Sequence, residues 1–507
     1  MAALRVGTRA VEGRFQASNG GGGGGGGMAP SSRLVAAHRE AKPRSSHSAA
    51  PWKLPRRRAG AMPLWRVAVF ASVALNVATL ALLLHHYATS PPPHHHHHDA
   101  GLATRSSDAA VHRRARTASS MAPSTGKPAV TTDSVINLDH GDPTMFEEFW
   151  RETGDAAEVV IPGWQTMSYF SDVTNVCWFL EPELDRQVRR LHRVVGNAAV
   201  DGYHVLVGTG STQLFMAALY ALAPDAAAAA AGEPISVVST APYYSSYPAV
   251  TDFLRSGLFR WAGDADAFKG DSYIELVCSP NNPDGAIREA VLDPKTGNGR
   301  TVHDLAYYWP QYTPITKRAS HDIMLFTVSK STGHAGTRIG WALVKDRAIA
   351  RKMTKFVELN TIGVSKDSQM RAAKVLAAVS DGYERRPEQT KETMTTPLRL
   401  FDFGRRKMVE RWSMLRAAAA ASGIFSLPEE TSGFCNFTKE TAATNPAFAW
   451  LRCDREDVED CAGFLRGHKI LTRSGAQFGA DARYVRVSML DRDDAFDIFI
   501  NRLSSLK

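Results

Sequence analysis

The stretch IMLFTVSKSTGHAGTRIGW, residues 323–341, decides the fold. Ile323 to Thr327 run without a charged break, as a strand covered on both faces does, and the run ends at Ser329 and Lys330 ahead of a turn containing Gly333 and Gly336. A lysine in that position is, taken alone, an ordinary surface residue. Eight positions further on stands Arg338, beyond glycines that let the backbone come close to a ligand. An amine beside a fixed guanidinium suits a phosphorylated aldehyde. Lys330 would take the carbonyl carbon as a Schiff base, and Arg338 would take the phosphate through paired hydrogen bonds.

Working outward, four more apolar, β-branched runs stop at polar or glycine-rich turns: HVLVGTGST from His204, ISVVSTAPYY from Ile235, YIELVCSPNNPDG from Tyr273 and TVHDLAYYWP from Thr301. Helical patterns intervene, such as TQLFMAALYAL from Thr212. This alternation predicts an α/β fold with a mainly parallel sheet between helices, in which ligands gather at the carboxyl ends of the strands. Ser211, Asn282, Asp304 and Lys330 each fall at or just past such an end, so four segments converge on one rim. GTGSTQ turns from strand into helix, and the amides and hydroxyls around Ser211 and Thr212 suit a single phosphate. It has neither the GxGxxG nor the Walker pattern, which disfavours nucleotide binding. Asp304 ends its strand as a carboxylate in need of a cation, either a protonated pyridine nitrogen or a neighbouring Arg or Lys. Tyr307 and Asn282 are placed to serve a ring hydroxyl, although an Asn-Pro turn by itself says little.

Together GTGSTQ, SPNNPDG, HDLAYYWP and FTVSKSTGHAGTRIGW resemble the fold type I aminotransferases, specifically the alliinase-like group that includes plant tryptophan aminotransferases. The resemblance spans about residues 131–507 and implies pyridoxal 5'-phosphate as cofactor. It implies Lys330 as the Schiff-base lysine, Asp304 opposite the pyridinium, and Asn282 and Tyr307 at the ring hydroxyl, with Lys330, Asp304 and Tyr307 as the catalytic set. Ser211, Thr212, Thr327, Ser329 and Arg338 would surround the phosphate. Tyr169, in GWQTMSYFS, is similar to a tyrosine that reaches the phosphate of the neighbouring subunit, which implies a homodimer. Arg486, in ARYVRVSML, is similar to an arginine that holds the substrate carboxylate. The implied activity is transfer of the amino group of L-tryptophan to a 2-oxo acid such as pyruvate, giving indole-3-pyruvate, a step of auxin biosynthesis. C–S lysis of cysteine sulfoxides and a silent membrane-anchored binding protein are the alternatives. Alliinases carry a cysteine-rich module ahead of the catalytic part, and this chain has no cysteine before Cys177, which favours transamination. Phe146, Trp150, Phe170 and Trp178 are candidates for a side-chain pocket.

Composition limits the other classes. The chain has 507 residues, 44% hydrophobic, and a formal charge of +9. Residues 1–60 hold eleven Lys and Arg against Glu12 and Glu40, which accounts for the whole excess. A neutral folded part argues against a groove for nucleic acid. Cys177, Cys278, Cys435, Cys453 and Cys461 form no CxxC pair and no metal-ligand spacing, and their odd number leans towards reduced thiols with one or two bridges left open. No metal is expected. The reading divides the chain into a basic Gly/Ser/Ala-rich disordered extension (1–62), a transmembrane helix (63–87) and a disordered linker (88–130) containing His94 to His98. A first segment of a smaller α+β domain (131–170), a large cofactor-binding domain (171–394) and the rest of the small domain (395–507) follow, with Ala226 to Ala231 read as a loop insertion.

Leu64 to Leu84 supplies 21 residues interrupted only by Arg66 and Asn76, long enough to cross a bilayer; a cleaved transit peptide is the alternative. The basic flank precedes the apolar core, so the positive-inside rule leaves the N-terminus cytosolic and the catalytic part in the lumen of the endoplasmic reticulum, where the sequon at Asn436 is open to glycosylation. A cytosolic catalytic part is the other orientation. In sealed microsomes the C-terminal part should resist protease until detergent is added. Digestion without detergent would refute the lumenal orientation, and recovery in the soluble fraction would refute the anchor.

Overall fold

The computed structural model describes residues 130–224, 233–293, 298–384 and 399–507. The basic extension, the apolar segment 64–84, the linker with its histidine run and the alanine run 226–231 lie outside the described residues. No helix among the described residues is long and apolar enough to cross a membrane.

After a short strand, β1 (Ile136–Asn137), the chain builds a seven-stranded sheet. Its strands are β2 (His204–Thr209), β3 (Ile235–Ser239), β4 (Phe259–Asp264), β5 (Tyr273–Cys278), β6 (Arg300–Asp304), β7 (Ile323–Thr327) and β8 (Ile339–Val344), in the order β2-β8-β7-β6-β5-β3-β4. Every residue of β5, β7 and β8 is buried, which is why these strands read as apolar runs, with Glu275 of β5 the one charged residue among them. Strand β8 runs antiparallel to β7 and β2, while β4, β3, β5, β6 and β7 pair in parallel. The eleven residues joining β7 to β8 are fewer than the roughly dozen that a parallel crossover needs, so the chain turns back.

Behind the sheet a polar thread fixes the loop after β6. Trp341 Nε1 donates to His192 Nε2 (2.9 Å), His192 Nδ1 pairs with Asn197 Oδ1 (2.8 Å), and Asn197 Nδ2 donates to the Tyr308 carbonyl (2.7 Å). Burial pushes the His192 imidazole down to about 4, so at neutral pH the ring is uncharged and accepts at Nε2 while donating at Nδ1. The loop carrying Tyr307 is thereby tied to the helix Pro182–Val195.

The C-terminal part forms β9 (Phe425–Ser426), a hairpin of β10 (Ser432–Cys435) and β11 (Glu440–Ala443), then β12 (Phe448–Cys453), β13 (Ile470–Leu471), β14 (Arg473–Ser474) and β15 (Tyr484–Ser488). Strands β14-β15-β12-β9 make a four-stranded antiparallel sheet, and β1 joins β13 in parallel. The first described residues thus belong with the last. Asn436 of the sequon sits exposed in the turn of the hairpin and donates to the Thr316 carbonyl (2.7 Å).

The leaning towards reduced thiols is corrected at one pair. Cys453 ends β12, Cys461 opens the helix Cys461–Gly467, and the loop between them returns their Cα atoms to 5.7 Å, where they form a disulfide. Sequence separation could not show this, because the return depends on where strand and helix end. Cys177, Cys278 and Cys435 are free and buried. Thiol titration of the denatured, unreduced protein should therefore find three thiols, and five would contradict the bridge. Cys461→Ser should lower stability to denaturant by about 2 kcal/mol, the loop entropy that so short a closure removes from the unfolded chain.

Candidate active site

The carboxyl ends of the parallel strands meet in a cavity of about 190 Å³, lined among others by Ser211, Thr212, Asn282, Asp304, Tyr307, Thr327, Ser329, Lys330 and Arg338. Residues from 211 to 338 are brought together by the strand order, since they lie at or follow the ends of β2, β5, β6 and β7.

At one end of the cavity the helix Gly210–Leu222 begins without a side-chain cap at Thr209, so its first amides are left for another partner. Gly210 has φ 73°, and a Cβ there would lie 2.3 Å from Arg338 Nη2. Only glycine lets that guanidinium close over the helix start. Arg338 Nη1 donates to the Ala335 carbonyl (3.0 Å) and leans on Ser329 Oγ (3.4 Å). Helix start, two hydroxyls and a guanidinium form an anion site.

Lys330 sits in the short helix Val328–Ser331, and its Nζ donates to the Gly141 carbonyl at 2.6 Å. Tyr312 Oη (3.1 Å) and Gln311 Nε2 (3.3 Å) both donate to the Lys330 carbonyl and fix its backbone. Burial, reinforced by the charges of Arg486 and Arg338, pushes the ammonium down to about 8 against the pull of Asp142. Tyr307 is buried, with its ring centroid 5.7 Å from Lys330 Nζ and edge-on to Phe448.

Asp304 accepts from Tyr247 Oη (3.1 Å) and from the Ala306 amide (3.2 Å). No Arg or Lys among the described residues forms a salt bridge with it, and burial pushes its carboxyl above its ordinary value. The alternative of a protein ion pair is thus absent around this carboxylate among the described residues. Asn282 Oδ1 accepts from Arg486 Nη1 (3.0 Å), which leaves the amide nitrogen as the end able to serve a ligand oxygen.

Arg486 is 2% exposed and stands beside the cavity, not among its lining residues. Its Nη2 donates to the Asp139 carbonyl (2.5 Å), its guanidinium lies 4.1 Å from the Phe448 ring centroid, and its Nε has no partner. It bridges two parts of the chain, yet no carboxylate neutralises it at hydrogen-bond distance. Asp139, whose charge acts on it, is held by Arg473 (2.6 and 3.1 Å).

Several expectations change. Thr327 lines the cavity, but its hydroxyl donates to the Ile339 carbonyl (3.0 Å) and accepts from the Ser329 amide (3.1 Å), so it caps the short helix and leaves Ser329 to face an anion. The turn after Lys330 rests on Gly333 (φ 83°) and on Arg338 itself (φ 55°), whereas a side chain at Gly336 would begin in open space. Tyr169, expected at the site of a neighbouring subunit, is 68% exposed and outside the cavity of its own chain, which leaves that expectation unchanged. Phe146, Trp150, Phe170 and Trp178 line no part of it: Phe146 packs on Gly333, and Trp150 Nε1 donates to the Thr332 carbonyl (2.8 Å). Tyr244, Tyr247 and Gly141 were not singled out from the sequence. The two tyrosines sit in APYYSSY directly after β3, a strand end like the others, and that position was the available signal.

The anion site, the lysine of lowered basicity and the carboxylate without a cation fit the phosphate, the aldehyde and the protonated pyridine of one group. Comparison with known proteins agrees in fold. The chain is 17% identical to a substrate-bound BacF structure from Bacillus subtilis, with a TM-score of 0.51 over 73% of this chain and 90% of that one, and the fold is that of type I pyridoxal-phosphate aminotransferases. It is 63% identical to tryptophan aminotransferase-related protein 1 of Oryza sativa subsp. japonica, over 87% of this chain and 95% of that protein. It is 36% identical to alliin lyase 1 of Allium sativum, over 70% of this chain and 72% of that protein. The allinase family model matches residues 136–507, and the chain belongs to that family.

Proposed function

We propose that this protein is a pyridoxal-phosphate-dependent aminotransferase that moves the amino group of L-tryptophan to a 2-oxo acid such as pyruvate, giving indole-3-pyruvate and so serving auxin biosynthesis. The observation that carries the chemistry is Asp304, enclosed at the cavity with two hydrogen-bond donors and, among the described residues, no cation. The similarity to the rice tryptophan aminotransferase-related protein supports the substrate.

When bound, pyridoxal phosphate draws electrons away from the substrate α-carbon and so makes its proton removable. Asp304 holds a proton on the ring nitrogen, with Tyr247 and the Ala306 amide keeping the carboxylate oriented. Ser211, Thr212, Ser329 and Arg338 bind the phosphate, and Asn282 and Tyr307 donate towards the ring hydroxyl. Lys330 would hold the aldehyde carbon, and its Nζ, when free, would be placed to take the α-proton. Arg486 receives the substrate carboxylate, which completes the hydrogen bonding of a buried cation whose Nε is unpartnered. The similarity to alliin lyase supports a second reading, C–S lysis, which shares every step up to proton removal.

The proposal extends to assembly and location. Val160, Trp164, Met167, Tyr169, Phe170 and Val173 are all more than half exposed within one segment, an apolar strip that a second copy of the chain would cover. In that homodimer Tyr169 reaches the phosphate of the neighbouring site, and residues 64–84 anchor the assembly in the endoplasmic reticulum.

Purified protein given L-tryptophan and pyruvate should form indole-3-pyruvate and alanine. Thiol-derived products from cysteine sulfoxides, with no keto acid from tryptophan, would establish the lyase instead. Asp304→Asn should keep cofactor but lose at least about a hundredfold in turnover, the scale of one preorganised electrostatic partner. Wild-type turnover in that variant would reduce Asp304 to a structural role.

The basicity of Lys330 gives a pH test. Only the neutral amine attacks an aldehyde, so the rate of cofactor capture by the apoprotein should rise through about pH 8 and level off above it. A midpoint near the ordinary lysine value of 10.5 would show that the amine is not enclosed as described.

A further inference from the structure

At the other end of the strands from the cavity, a groove of about 890 Å³ is lined by Glu289, Arg300, His303, His321, Asp322 and Lys345, among others. We propose that Glu289, His303 and His321 form a binding site for a divalent transition ion of the zinc type. Each offers one ligand atom, and the three atoms lie within 4.8 Å of one another. A tetrahedral ion with bonds of 2.0–2.1 Å needs about 3.4 Å between ligand atoms, so a shift of roughly 1 Å closes the site.

His303 is the fixed member. It is 7% exposed, and its buried Nδ1 has no hydrogen-bond partner. An imidazole with an unanswered buried nitrogen is costly in a structure where nearly all such atoms are paired, and an ion taken at that nitrogen would remove the cost. His321 stacks on it with centroids 3.4 Å apart and planes 8° from parallel. Two parallel rings direct their lone pairs side by side, so one must turn to share an ion. His321 is half-buried and free to be that one, and Glu289 is exposed and swings with little cost. Among the described residues the competitor to be displaced from Glu289 is Lys317, in an exposed ion pair of the kind that contributes little.

Two imidazoles and one carboxylate are a borderline ligand set, suited to Zn²⁺, Co²⁺ or Ni²⁺ and poorly to Ca²⁺ or Mg²⁺. Three protein ligands beside an open groove leave a position for water. The site is separate from the amino-transfer chemistry: His303 and Asp304 are consecutive on β6, where successive side chains point to opposite faces, and they line different cavities. The ligands come from three segments, 14 and 18 positions apart, so no spacing in the sequence signals them.

The test is calorimetric titration of the full-length, cofactor-loaded protein with Zn²⁺, in a background where each of His94 to His98 is replaced by Ser, because that run chelates metal by itself. One equivalent should bind. Glu289→Gln and His321→Ala, both accessible positions, should each weaken it by at least about a hundredfold, beyond the roughly 10–100-fold that an outer hydrogen-bond partner is worth. Lys317→Ala should tighten it severalfold by freeing Glu289. Metal-free thermal unfolding of the variants should match the parent, which separates lost binding from lost folding. Absence of binding, or binding that both Glu289→Gln and His321→Ala leave unchanged, would overturn the proposal.

Discussion

A carboxylate removed from water without a cation is expensive to build, and Asp304 is such a group. Isolated burial of an ionised acid costs so much that the side chain ordinarily neutralises or acquires a partner. Here Tyr247 and the Ala306 amide supply two hydrogen bonds and no charge, and burial outweighs them and pushes the carboxyl up. The rest of the cavity is arranged around completing that deficit. An anion site lies at the start of the helix Gly210–Leu222, a lysine of lowered basicity lies on the β7 side, and the space between them opens onto Asp304. A ligand bearing a phosphate, an aldehyde and a protonated ring nitrogen satisfies all three at once.

The first described residues matter to this site as much as the sheet does. The segment Asp139–Asp142 brings the Gly141 carbonyl to Lys330 Nζ and the Asp139 carbonyl to Arg486. A paired contact between Asp139 and Arg473 on β14 holds the segment, and Arg473 Nη1 donates also to Ser245 Oγ (3.0 Å). Strand β1 continues the attachment through its pairing with β13. The lysine is thus enclosed by a strap fastened to the small sheet. That enclosure, together with two nearby guanidinium groups, lowers its basicity. Nothing in the order of the large sheet would do this alone.

How much was legible in the sequence follows from the range of each interaction. Lys330, Asp304, Asn282 and Ser211 were found because each lies at or just past the end of a buried run, a local signal that survives without coordinates, and Arg338 because it follows Lys330 by eight positions across a glycine turn. The α/β architecture follows from the same runs. The reversal of β8 was not read, since it depends on how few residues return the chain from Thr327 to Ile339. Tyr247 reaches Asp304 across 57 positions and Gly141 reaches Lys330 across 189, and neither contact leaves a pattern in either segment. Thr327 was legible as a cavity residue but not as a helix cap, because a hydroxyl at a strand end suits an anion and an amide equally well. The Cys453–Cys461 bridge and the stacked pair His303 and His321 were invisible for the same reason as Gly141: chain geometry, not composition, brings them together.

The central claim is that Lys330 is the group to which pyridoxal phosphate becomes attached. The most direct measurement is borohydride reduction of the cofactor-loaded protein followed by peptide mapping by mass spectrometry. The account predicts a single pyridoxyl-modified peptide carrying Lys330, with the modification absent from Lys330→Ala. Modification of a different lysine, or none in a protein that has bound the cofactor, would contradict it.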